Sequence, residues 1–62
     1  MTGEELKQLR TSAGLTQMKL AKLCRVTFAT INRWENGVIG IDYMREVALR
    51  TIIARAKRRK RR

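Results

Sequence analysis

The sequence predicts an all-α fold, a compact domain of about four helices, and three observations carry that expectation. Proline is absent and glycine occurs only four times in 62 residues. Apolar residues recur three and four apart along most of the chain, the period of a helix with one buried face. Residues that cap helix N-termini stand just ahead of those apolar runs, at Thr2, Thr16, Thr27 and Asp42. Hydrophobic residues make up 44% of the chain. A core can therefore form, although a chain this short buries only about 60% of its unfolded surface.

The first helix is expected over residues 3–13. Thr2-Gly3-Glu4-Glu5 is a capping box, in which hydroxyl and carboxylate each bond the other residue's amide. Leu6, Leu9 and Ala13 follow at helical spacing, and Gly14 supplies a left-handed stop. Thr16 caps a second helix that opens at Gln17 and turns Leu20, Ala21 and Cys24 inward. Arg25-Val26 interrupts it. Thr27 caps a third helix with Ile31 and Trp34 inward, and Asn36-Gly37 ends that one. The loop Val38-Ile39-Gly40-Ile41 is unusually apolar and reads either as tucked under the core or as a subunit contact. Asp42 caps the fourth helix, where Met44, Val47, Ala48, Thr51 and Ile52 form one face and Leu49, Ile53 and Ala56 a neighbouring strip. Two strips exceed the need of one small core. Nothing stops this helix before residues 57–59, so residues 1–54 read as one domain and residues 55–62 as a basic tail continuing its last helix.

The net charge is +10 and unevenly placed. Residues 55–62 hold seven of the fifteen basic residues and no acid, and the preceding 54 carry a net of only +3. Such a balance suits polyanions, nucleic acid first and an anionic membrane surface second. The tail lacks the interleaved large apolar residues of a membrane-surface helix. No apolar run approaches the roughly 20 residues of a membrane span, and the acidic, helical start is unlike a secretory signal, so a cytoplasmic protein is expected. Cys24 is the single cysteine and reads as a small buried hydrophobe in a reducing compartment. An enzyme is excluded as the first reading. There is no histidine, no acid pair, no metal-ligand cluster and no phosphate loop, so no catalytic residue, metal or cofactor is expected.

Residues 17–36 combine two short helices with a tight turn between them. Ala21 stands where the helices would cross, Val26 plugs the turn, and Ile31 anchors the second helix from beneath. That is helix-turn-helix geometry, with the second helix protruding. Thr16-Gln17, Leu20-Ala21, Val26-Thr27, Ile31 and Glu35-Asn36-Gly37 together resemble the phage repressor/Cro (XRE-type) helix-turn-helix family over about residues 2–52. The resemblance implies a lambda-repressor-like domain that binds double-stranded DNA sequence-specifically through a helix in the major groove. It implies a transcriptional repressor of a bacterial or phage operon, working in the cytoplasm of a bacterial or phage-infected cell. Two departures stand out. Arg25 occupies a turn position that usually carries Gly, at about 1 kcal/mol of backbone strain. The family's compact domains usually have five helices, and this chain has room for four.

Roles follow from helical geometry together with the resemblance. With Ile31 and Trp34 inward, Phe28, Ala29, Asn32 and Arg33 point outward and match the family's base-reading positions. Phosphate contacts are expected at helix ends, from Thr16, Gln17, Thr27 and Asn36, with Arg10 as a further contact; Arg25, Lys19 and Arg45 read either as additional phosphate contacts or as solvated surface residues. The resemblance also pairs Arg10 with Glu35 in a partly buried ion pair. A homodimer on a near-palindromic operator is expected, with Leu49, Ile52, Ile53 and Ala56 as its seam. The alternative use of that strip is to cover the chain's own core in place of the absent fifth helix. Two other functions are weighed: an antitoxin-like module that docks a protein partner while binding operator DNA, and RNA binding through the basic tail. Against RNA, the chain lacks the aromatic platforms of single-strand readers.

Overall fold

The computed structural model describes residues 1–60, with side chains through Arg58. Four helices follow one another: α1 (Gly3–Ser12), α2 (Gln17–Cys24), α3 (Phe28–Glu35) and α4 (Tyr43–Lys60). The first three each start on a threonine. Thr2 Oγ1 accepts from the Glu5 amide at 3.1 Å, and the Glu5 carboxylate accepts from the Thr2 amide at 2.9 Å, which closes the capping box. Thr16 accepts from the Lys19 amide at 3.0 Å and Thr27 from the Thr30 amide at 3.2 Å. Asp42 does the same for α4, accepting from the Arg45 amide at 2.8 Å. Each cap is worth about 1 kcal/mol.

The first three helices also end alike. Past α1, the Leu15 amide donates to the Arg10 carbonyl and the Gly14 amide to the Thr11 carbonyl. Past α2 the pairs are Val26 to Ala21 and Arg25 to Lys22, and past α3 they are Val38 to Arg33 and Gly37 to Trp34. This double bond pattern requires one left-handed residue beyond the helix. Gly14 and Gly37 supply it at φ 74° and 75°, and Arg25 supplies it at φ 59°.

Leu6, Ala13, Leu20, Ala21, Ile31, Trp34, Leu49 and Ile53 form the core, with contributions from every helix. α3 packs on α2 and α1, and α4 packs on α1 and α2. Ala21, buried at the α2–α3 crossing, has no side chain beyond Cβ to hold the two helices apart. The apolar loop serves two ends: Ile41 packs against the core while Val38 and Ile39 are exposed.

On α4 the structure corrects the expected faces. Leu49 and Ile53, assigned to a dimer seam, are buried in this chain's own core, and Ile52 packs beside them, half-buried like Ala56. The strip that faces solvent is the other one, with Met44, Val47, Ala48 and Thr51 exposed. Leu49 and Ile53 lie in the core where α4 packs on α1 and α2. α4 then runs unbroken to Lys60, so residues 55–60 of the expected tail are helical. Residues 59–62 lie outside the described side chains.

The chain start is tied down twice. The Met1 amine donates to Glu46 Oε1 at 3.0 Å, while Arg50 Nε donates to Glu46 Oε2 at 3.0 Å. The Met1 ammonium first, and Arg50 second, hold the Glu46 carboxyl below its usual range. At Gly3, a Cβ would overlap the backbone carbonyl oxygens of Trp34 and Glu35. Only glycine lets α1 begin so close to the end of α3. Cys24 is half-buried, and burial pushes its thiol up. No helix among the described residues is long and apolar enough to cross a membrane.

Candidate nucleic-acid interface

α3 is rotationally fixed by its inward residues. Ile31 is 0% exposed and Trp34 6%, and both belong to the core. Helical geometry then sends Phe28, Ala29, Asn32 and Arg33 to the opposite side, and all four are exposed. Phe28 keeps 47% of its surface, so its ring stands on the ridge rather than folding back into the core. The ridge carries an aromatic face, a methyl, an amide and a guanidinium. Those groups can contact a thymine methyl, donate to a base edge, and fork onto guanine O6 and N7.

The ends of the ridge are polar. Thr27 Oγ1 caps α3 and lies 2.9 Å from Thr30 Oγ1. At the other end Asn36 Nδ2 donates to Asn32 Oδ1 at 3.1 Å. Residues expected in separate roles, base and phosphate, are thus joined before any partner arrives. That contact engages the Asn32 carbonyl and leaves its side-chain N–H groups without a partner among the described residues. At the start of α2, Thr16 satisfies the Lys19 amide, and the amides ahead of it in the first turn have no intrahelical acceptor. They make an end that attracts anions. Arg25 and Lys19 are exposed on α2 and its turn. Arg45 is exposed but engaged, its Nη1 donating to Asp42 at 2.9 Å.

Arg10 is buried and bonded within the chain. Its side chain is 11% exposed, and three of its N–H groups are used inside the chain. Nε donates to Glu35 Oε2 at 2.6 Å, Nη2 to Glu35 Oε1 at 3.2 Å, and Nη1 to the Leu15 carbonyl at 2.8 Å. The structural role expected for Arg10 is present, and the buried guanidinium corrects the phosphate role. Gln17 adds a bond that sequence reasoning missed, its Nε2 donating to Glu35 Oε1 at 2.9 Å. The Glu35 carboxylate, 3% exposed, therefore joins α1, α2 and α3 at one point. It sits at the C-terminal end of α3, where the helix dipole disfavours an anion, and the Arg10 fork offsets that cost. Gln17 retains one side-chain N–H and its backbone amide for an outside acceptor. Nothing in the spacing of Gln17 and Glu35 announces their bond. Gly3 was likewise read only as part of a capping box, and its close approach to α3 has no local signal.

Residues 2–56 match the family described as the helix-turn-helix domain. No curated protein and no solved structure matches the chain.

Proposed function

The chain belongs to the helix-turn-helix domain family, a DNA-binding module, and from that premise we propose that it reads double-stranded DNA in a sequence-specific way as a transcriptional repressor. The observation that carries this reading is the ridge of Phe28, Ala29, Asn32 and Arg33, exposed together on a helix locked from behind by Ile31 and Trp34. In the major groove Arg33 forks onto a guanine, at about 1–3 kcal/mol of discrimination. Asn32 donates to a neighbouring base edge or a phosphate, and Phe28 and Ala29 cover a thymine methyl. Thr16, Gln17, Thr27, Asn36 and Arg25 position the domain on the backbone, which fixes register without reading sequence. The protein performs no catalysis in this reading and needs no cofactor.

One domain reads only a few base pairs, so the working unit is a homodimer on a near-palindrome with half-site centres about 34 Å apart. Its seam is the exposed apolar surface of Val38, Ile39, Tyr43, Met44 and Val47. A second reading uses that same surface to dock a different protein, as an antitoxin-like module would. Sedimentation tests the first, since a chain that stays monomeric at high concentration, both free and on its site, removes the homodimer; co-purification with a protein partner supports the second. The central experiment is selection of bound sequences from random duplex DNA. It should enrich a near-palindrome, and Arg33→Ala should relax preference at one position per half-site. Recovery of the input pool without enrichment would end the proposal.

A further inference from the structure

A second surface lies away from the reading helix. The α1–α2 turn, α2 and the far half of α4 enclose an open groove of about 760 Å³, within the range of about 300–1,000 Å³ typical of ligand sites. No residue of α3 lines it. Its floor is apolar, formed by Leu15, Leu23, Ile52 and Ala56, and Leu23 keeps 42% of its surface exposed. Its rim is cationic, formed by Lys19, Arg55 and Arg58. These three make no ion pair among the described residues, and no acid lines the groove.

We propose that this groove docks an acidic amphipathic helix of a partner protein. The apolar floor asks for apolar side chains, and the unpaired cations on the rim ask for flanking carboxylates. The walls are helices with no strand edge, so an incoming segment finds no main-chain ladder, which favours one that satisfies its own backbone, as a helix does. A second copy of this chain is a poor occupant, because its acids are already committed. Glu35 is held by Arg10, Asp42 by Arg45, Glu46 by Met1 and Arg50, and Glu5 by the Thr2 cap, which leaves Glu4 alone. Nucleic acid would pair with the rim and leave the apolar floor in water. The groove and the α3 ridge share no residue, and the floor residue Leu23 belongs to none of the proposed DNA contacts, so a floor variant separates this inference from the DNA reading.

The test is titration of the full chain with a labelled synthetic peptide of about fourteen residues, leucines three and four apart on one helical face and glutamates elsewhere. A scrambled peptide of the same composition is the comparison. The patterned peptide should bind at least about tenfold tighter and shift the amide resonances of Leu15, Leu23, Ile52 and Ala56. Leu23→Gln, at an exposed position outside the DNA-reading residues, should weaken that binding about tenfold and leave duplex affinity and melting temperature unchanged. Arg58→Glu, beyond the last core residue of α4, should weaken it as well. Equal affinity for both peptides, resonance shifts confined to α3 and the 38–47 surface, or an indifferent Arg58→Glu variant would each overturn the proposal.

Discussion

At the scale of single residues, Arg25 and Glu35 carry opposite costs. Arg25 holds the left-handed position of a helix stop that Gly14 and Gly37 fill elsewhere in the chain. A side chain there costs about 1–2 kcal/mol, and glycine's extra unfolded-state freedom returns about 0.5–1 kcal/mol of the relief. Arg25→Gly should therefore raise the melting temperature by a few degrees, while affinity for every duplex falls with the lost cation; a lowered melting temperature would contradict the strain. Glu35 is the reverse case. Removing its carboxylate leaves Arg10 buried without its anion and Gln17 without its acceptor. Breaking such a pair costs about 3–5 kcal/mol. A chain of this size has about 3–9 kcal/mol of total stability. Glu35→Ala should lose most of its cooperative thermal transition, as followed by circular dichroism, and Glu35→Gln, which keeps acceptor capacity, should lose less.

At the scale of elements, α1, α2 and α3 were legible in the sequence because each carries its own cap and stop within a few residues. α4 was legible in extent and not in orientation. Its Met44-Val47-Ala48-Thr51 and Leu49-Ile53-Ala56 strips are both apolar enough to be buried, and the choice is made by the space above α1 and α2, which no local pattern reveals. The outward residues of α3 could be read because Ile31 and Trp34 fix its rotation. The bonds of Gln17 to Glu35 and of Met1 to Glu46 could not, since each joins positions far apart in the chain. The α1–α4 tie has a pH signature. Glu46 titrates below its unfolded value, so its stabilising contribution is complete above that value, near pH 4.3, and is lost as pH falls through the lower folded value. The melting-temperature difference between the native chain and Glu46→Gln should be constant near neutrality and shrink as pH drops below about 4. A difference that does not change from pH 7 to pH 2.5 would remove this carboxylate from acid sensitivity.

At the scale of the whole molecule, charge and fold are separable. The last core residue on α4 among the described residues is Ile53, so a chain lacking residues 57–62 keeps every core residue while losing six cations. It should melt cooperatively, bind all duplexes more weakly and show a shallower dependence of affinity on salt, with the preferred site unchanged. Affinity at low salt equal to that of the full chain would show that the tail does not touch DNA. The missing Cβ at position 3 bears on the assembly in another way. The first turn of α1 rests on the end of α3 as a door rests on its jamb, and even one methyl there would act as a shim. Since rigid carbonyls meet that methyl, the displaced part is the angle between α1 and α3. In the proposed homodimer, an alanine at this point would therefore mis-aim the ridge relative to the twofold-related partner's ridge, and pairing of two half-sites would suffer before either half-site contact did.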